Sequence, residues 1–167
     1  MIEFRIADET HIPALAGIER ASAERFGESD LPIHLREETV SEEEHLDAQR
    51  QGLLLVALED EAKPVGFAIT RRIESCLHIV EMDVHPRYQR RGIGSSLLDQ
   101  VAALARVRGC EAVTLTTFRH VAWNAPWYGR RGFTILKEEE IPRSLRCILD
   151  EEQAKGLRQR VAMRKAL

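Results

Sequence analysis

The sequence predicts an α/β (α+β) fold in one domain covering residues 1–167, with a sheet flanked by helices. Three observations lead there. The hydrophobic period switches repeatedly between two and about 3.6 residues, which marks alternating strands and helices. The apolar runs are short, as in Leu53 to Leu58, and fit strands or amphipathic helices of one modest core. A strand-like stretch from Leu77 to Val84 passes through a glycine-bearing loop directly into a long helical stripe.

Taken in order, Ile2 to Ile6 reads as a strand, and Asp8 or Thr10 caps a helix whose apolar positions are Ile12, Leu15, Ile18 and Ala21. Ser41 followed by Glu44 is a capping box for a short helix ending near Gly52. Leu53 to Leu58 and Val65 to Ile73 form a hairpin across the turn-rich Glu59 to Pro64. Leu77 to Val84 is the next strand, closed by His85-Pro86, because a residue before proline is pushed out of the helical region. From Gly94, Leu97, Leu98, Val101, Ala102, Leu104 and Ala105 make a helical stripe that Gly109 stops. Ala112 to Phe118 is a β-branched strand, Asn124 to Arg131 a short helix with Pro126 in its first turn, and Phe133 to Leu136 a strand. A helix over Ser144 to Lys155 and a strand over Val161 to Arg164 complete the chain.

Composition narrows the function. A hydrophobic share of 44% with 31% charged residues is globular, and a net charge of −3 lacks the basic excess that phosphate-backbone binding demands, so no nucleic-acid partner is expected. No apolar run approaches the ~20 residues of a membrane span, and the N-terminus lacks the apolar core of a secretory signal. No membrane partner and a cytoplasmic location are the expectations. Cys76, Cys110 and Cys147 are odd in number and set among apolar neighbours, which predicts buried, reduced thiols and no metal site.

The chemistry concentrates in VHPRYQRRGIGSSLL, from Val84 to Leu98. Gly92 and Gly94 lie where the strand becomes a helix, so the backbone can approach a ligand closely and several N–H groups can converge on one anion. The helix adds unsatisfied N-terminal donors and its positive dipole end. Arg87, Arg90 and Arg91 supply positive charge, and Ser95 or Ser96 a hydroxyl. A pyrophosphate fits such a place. A P-loop is excluded by the missing Lys-Ser/Thr pair, and a dinucleotide fingerprint by the missing third glycine.

The stretch resembles the Q/R-x-x-G-x-G/A signature of the GNAT superfamily of N-acetyltransferases, matched by Gln89, Gly92 and Gly94, and EMDVHP before it is similar to that family's fourth strand. Local similarity runs from about Leu77 to Phe133. The element order resembles the family over most of the chain, although Gly27 to Ser41 matches nothing specific. The resemblance implies a mixed, mostly antiparallel central sheet flanked by helices, whose parallel strands four and five, here Leu77 to Val84 and Ala112 to Phe118, splay apart to admit acetyl-CoA. It places the pantetheine arm against Met82, Asp83 and Val84, and the pyrophosphate against Gln89, Arg90, Arg91, Gly92, Ile93, Gly94 and Ser95.

Acyl transfer from a thioester to an amine needs a neutral amine, a stabilised oxyanion and a protonated leaving thiolate. Tyr128, in WNAPWYGRRGF, resembles the family's Y-x-x-x-G-F stretch through Gly132 and Phe133, which implies that it protonates the coenzyme A sulfur. The family often carries Asn seven residues before that tyrosine. Here Val121 stands there, and Asn124, four before, either caps the short helix or reaches the cofactor. Glu81 and Asp83 lie two apart on a strand, so both carboxylates emerge on one face, with Val80, Met82 and Val84 on the other. Glu81 matches a family position that often serves as the base, His85 is the neighbouring alternative, and an acidic wall attracting a cationic substrate is the bland account. The backbone near Val84 is the family's oxyanion site. Trp123 and Trp127 either line an acceptor pocket or, on the favoured account, pack an amphipathic helix.

These residues predict an N-acetyltransferase that moves an acetyl group from acetyl-CoA to a primary amine by direct attack, without a metal. The acceptor is a small molecule or a peptide, and a protein or peptide N-acetyltransferase stays open beside it. A non-catalytic acyl-CoA-binding sensor is the alternative from another class. The alternating RVAMRKAL tail reads as an edge strand able to pair between subunits in a homodimer.

Overall fold

A computed structural model describes residues 1–167. Its strands are β1 Ile2–Ile6, β2 Leu54–Glu59, β3 Lys63–Ile73, β4 Cys76–Val84, β5 Ala112–Phe118, β6 Thr134–Ile135 and β7 Arg160–Ala166. Its helices are α1 Leu15–Ala23, α2 Ile33–Arg36, α3 Glu42–Arg50, α4 Ile93–Val107, α5 Ala125–Gly129 and α6 Arg143–Lys155. The strands form one sheet in the order β1-β2-β3-β4-β5-β7-β6. Every neighbouring pair is antiparallel except β4 and β5, which is the mixed, mostly antiparallel sheet that the resemblance implies.

Local chemistry explains the helix starts. Asp8 is the cap of the first helical segment: its carboxylate accepts from the Thr10 N–H at 3.0 Å. That segment opens as a 3₁₀ turn over Glu9–Ala14, and α-helical hydrogen bonding begins after Pro13, which has no N–H to give. The Ser41/Glu44 capping box forms as expected, with the Glu44 N–H donating to Ser41 Oγ at 3.2 Å and the Ser41 N–H donating to the Glu44 carboxylate at 3.2 Å. In α1 the buried stripe is Leu15, Ile18 and Ser22. Apolar spacing alone gives that last place to Ala21, and the difference matters for the site.

The core is built mainly from β2, β3 and the apolar face of α4, where Ile93, Leu97, Leu98, Val101, Ala102 and Ala105 are buried. Each of the larger side chains contributes roughly 1.5–3 kcal/mol by leaving water. On β4, Asp83 turns towards Ser22 of α1, whereas the next residue, Val84, lies near Gly94 at the head of α4. Successive strand residues point to opposite faces, so α1 and α4 cover opposite sides of the sheet.

Three expectations are corrected. The C-terminal strand is not an edge: β7 pairs with β5 along all of its residues and carries β6 on its other side, so the premise for pairing between subunits is absent there. The segment after Gly27, featureless in sequence, contains α2. Of the three free cysteines only Cys110 is buried; Cys76 is half-buried, and Cys147 is exposed on α6, whose apolar face is narrow.

Candidate active site

β4 and β5 pair over only three residues, Cys76↔Ala112, Leu77↔Val113 and His78↔Thr114, and then part. The last pair is pinned by its side chains, His78 Nδ1 lying 3.0 Å from Thr114 Oγ1. Burial holds the His78 imidazole down at about 4, so it stays neutral inside the sheet. Just past the pin, the register of β4 on β3 jumps from Thr70↔Ile79 to Ile69↔Glu81, leaving Val80 as a bulge. A bulge bends its strand and re-aims the side chains beyond it. The result is a fork whose arms, Ile79–Val84 and Leu115–Phe118, line a cleft of about 780 Å³.

The glycine loop closes one end of this cleft. Gln89 Nε2 donates to the Val84 carbonyl at 2.8 Å, tying the loop back to the end of β4. Arg90 and Gly92 both take positive φ, 62° and 80°, and Gly92 caps α4. The Gln89 N–H bonds to the Pro86 carbonyl and the Ser96 N–H to the Gly92 carbonyl, while none of the amides from Arg90 to Ser95 has a backbone acceptor. A run of free donors at a helix start is a ready anion cradle. Gly94 borders it between α5 and β4: a Cβ there would stand at ordinary contact distance, 3.7 Å from the Trp127 ring and 3.9 Å from Val84 Cγ2. Ile93 differs from its neighbours in that its side chain is buried in the core, leaving only its backbone to serve the loop.

Behind the cradle, the Arg131 guanidinium lies 3.7 Å above the Trp127 ring and donates from Nη2 and Nε to Ser95 Oγ at 2.7 and 3.2 Å. Arg131 thus clamps α5 to the first turn of α4, and the Ser95 hydroxyl is its acceptor. Asn124 sits at the N-terminus of α5 but does not cap it with its side chain; Oδ1 accepts instead from the Phe118 N–H at the end of β5, 3.4 Å away. Tyr128 packs edge-on between Trp127 and Phe133 and faces the cleft. Burial, reinforced by the charges of Glu81 and Asp83, pushes its phenol well above the ordinary value.

The other end of the cleft is acidic at its floor and aromatic on its wall. Glu81 and Asp83 share it with Glu19 and Ser22 of α1. Burial raises all three carboxyls; Glu19 is pushed up to about 8 by burial and by Glu81, and Asp83 is raised by burial and then by Glu81. Arg160 counters this at Glu81. It is itself held by Glu152, with Nε and Nη2 each 3.0 Å from a carboxylate oxygen. Phe26 packs on Phe118 and Trp123 at 5.5 Å, and the Arg25 guanidinium stacks 4.4 Å over Trp123. Arg36 fixes this wall by donating to the Phe26 carbonyl at 2.7 Å. Both tryptophans therefore line the cleft, the less favoured of the two sequence readings.

His85, the alternative base, lines none of this cleft, and its Nδ1 accepts from the Arg87 N–H at 3.3 Å.

A model of the acetyltransferase (GNAT) family matches residues 16–133, well over half of the chain, from α1 through the fork and the loop to the end of the Tyr128 segment. This chain belongs to the GNAT acetyltransferase family. The GNAT fold extends over the whole chain. PaiA N-acetyltransferase from Thermoplasma acidophilum, solved in complex with coenzyme A, superimposes with a TM-score of 0.75 at 18% identity, covering 100% of this chain and 99% of that one. The ribosomal-protein-S18-alanine N-acetyltransferase of Escherichia coli gives 0.69 at 22% identity, covering 99% and 94%. N-acetylglutamate synthase from Neisseria gonorrhoeae, complexed with coenzyme A and N-acetyl-glutamate, gives 0.76 at 21% identity; this GNAT chain matches only 35% of that longer protein.

Of the residues that the sequence singles out, Glu81, Met82, Asp83, Val84, Gln89, Arg90, Gly92, Ile93, Gly94, Ser95, Asn124 and Tyr128 all border the one cleft. Arg91 stands outside it, its guanidinium over the Tyr88 ring at 5.3 Å. Sequence reasoning misses Glu19, Ser22, Phe26, Arg131 and Arg160. Ser22 carries a signal, as a polar residue four after Ile18 on an apolar helix stripe. Glu19 and Arg160 carry none, because ordinary surface charges look the same in sequence.

Proposed function

We propose that residues 1–167 act as one acetyl-CoA-dependent N-acetyltransferase domain that acetylates a primary amine by direct transfer. The observation that carries this reading is the run of unpartnered amides at the head of α4, which opens into the same cleft as Tyr128 and the β4 carboxyls. The donor set suits a pyrophosphate: backbone N–H groups, a helix N-terminus and the neighbouring Arg90. Coenzyme A in the crystals of two structural relatives supports the same choice. The residues that would hold acetyl-CoA are Gln89 to Ser95 at the phosphates and the backbone of Met82 to Val84 along the arm.

Acetyl-CoA supplies a thioester-activated acetyl group. The chain's own contribution is proton handling and exclusion of water. Tyr128, its phenol held protonated by burial and by two nearby carboxyls, has a proton to give to a departing thiolate. Glu81, facing Arg160, is the carboxyl best supported as an anion and so best suited to take a proton from the acceptor ammonium. The apolar and aromatic wall of Phe26, Leu31, Leu35 and Trp123 encloses the acceptor.

Tyr128→Phe tests the assignment. It keeps the ring's packing on Trp127 and Phe133, so acetyl-CoA binding stays unchanged, while thiol release with an active amine from a library falls about a hundredfold. Transfer at the wild-type rate would remove Tyr128 from the acid role.

A further inference from the structure

The loop that forms the anion cradle also carries a cation that the cleft does not use. Arg90, at positive φ, lines the cleft. Arg91 turns out of it and lays its guanidinium over the Tyr88 ring, 5.3 Å from the centroid, which is within the range of a cation–π contact. The ring beneath is fixed from outside the loop. The Tyr88 hydroxyl donates to a Glu59 carboxylate oxygen at the end of β2, 2.5 Å away, and accepts from Lys63 Nζ at the start of β3, 3.2 Å away. Lys63 also lies 3.9 Å from that carboxylate oxygen, so its charge has a partner. Arg91 has none: it is exposed, and its side chain makes neither an ion pair nor a hydrogen bond. The β2–β3 hairpin thus supports a platform that holds one uncompensated positive charge beside the cradle.

We propose that Arg91, seated on Tyr88, binds the adenosine 3′-phosphate of coenzyme A, so that the protein discriminates coenzyme A from its 3′-dephospho form. The inference rests on the acetyl-CoA reading of the cleft. In that reading the cleft takes the pantetheine arm and the cradle at its end takes the pyrophosphate, so the adenosine lies beyond the cradle and outside the cleft. Arg91 stands on that outer side. Its backbone N–H belongs to the unpartnered run at the pyrophosphate, and its guanidinium lies a side chain's length away. One ribose ring separates the 3′-phosphate of coenzyme A from the pyrophosphate, a span of the same order. Stacking occupies a face of the guanidinium and leaves N–H edges open, and a guanidinium edge pairs with phosphate through two parallel hydrogen bonds. A ring tied down at its hydroxyl also restrains the arginine before the ligand arrives, which lowers the ordering cost of binding.

Calorimetric titration of the full chain with coenzyme A and with 3′-dephospho-coenzyme A reads this site without any acceptor amine. Wild type is expected to bind coenzyme A about tenfold more tightly than the dephospho form. Arg91→Gln, at an exposed position, should abolish that preference by weakening coenzyme A alone. Tyr88→Leu keeps the arginine but removes its platform, and should reduce the preference in a variant whose folding is checked by circular dichroism. If Tyr88→Leu folds poorly, Arg91→Gln carries the test by itself. Equal affinities in wild type overturn the proposal. So does a preference that survives Arg91→Gln, including a loss shared equally by both ligands, which would put Arg91 at the pyrophosphate instead. A wild-type preference in folded Tyr88→Leu overturns it as well. The acetyl-CoA reading beneath it fails by a different sign, the absence of binding by either ligand to wild type.

Discussion

Arg131 shows how much of the site depends on single side chains that no motif contains. It sits inside the WNAPWYGRRGF segment as an unremarked letter, yet it stacks on Trp127, donates to the Trp127 carbonyl at 3.2 Å and forks onto Ser95. A lysine cannot reproduce a planar fork with a stacked face. Arg131→Lys is expected to lower stability by about 1–2 kcal/mol, read by chemical denaturation, and to weaken acetyl-CoA binding by loosening the first turn of α4. A variant indistinguishable from wild type in both would show that the clamp is incidental. Gln89, Gly92, Gly94 and Tyr128 are legible in sequence because backbone chemistry and a spaced pattern restrict those positions to few residue types. Glu19, Glu152 and Arg160 are not, because their meaning arises only when α1, α6 and β7 converge on the fork.

At the scale of elements, the fork between β4 and β5 creates the cleft, and its cause lies in two places. The Val80 bulge re-aims one arm, and the His78–Thr114 contact fixes where the arms part. Both strands are legible in sequence to within a residue, since apolar alternation and the His85-Pro86 stop are local signals. The bulge is not, because it depends on how β3 registers against β4. Thr114→Val preserves shape but leaves the His78 nitrogen without its partner at a site only 3% exposed, which costs about 1–3 kcal/mol. Denaturant unfolding checks the figure, and an unchanged midpoint would mean that the strand backbones alone hold the fork.

For the whole molecule, the buried ionisable groups give stability a definite pH dependence. Glu19 has a folded-state value of about 8 against an ordinary 4.5, so the fold retains a proton that the unfolded chain releases. Its contribution is complete below about pH 4.5 and is lost as the pH climbs to 8. Glu81 and Asp83, also raised, act in the same sense. His78, lowered from 6.5 to about 4, contributes fully above pH 6.5 and loses its contribution as the pH falls towards 4. Between pH 6.5 and 8 only the carboxyls change, and the melting temperature should decline across that window, with a shallower decline in Glu19→Gln. A melting temperature that rises from pH 6.5 to 8 would contradict the assignment of these protons. The same scale defines what composition foretells: a near-neutral chain in which no helix is long and apolar enough to cross a membrane. The sheet order is less accessible. The penultimate place of β7 comes from a long-range pairing with β5 that its own alternating pattern does not specify.

The measurement that bears most directly on the central claim is a calorimetric titration of the purified chain with acetyl-CoA, run beside a Gly92→Trp, Gly94→Trp double variant whose folding is checked by circular dichroism. Bulky side chains on these two residues would fill the open cradle. The account predicts saturable binding at one site per chain in wild type and its loss in the folded variant. Absence of binding to well-folded wild type, or binding that survives both substitutions, would contradict it.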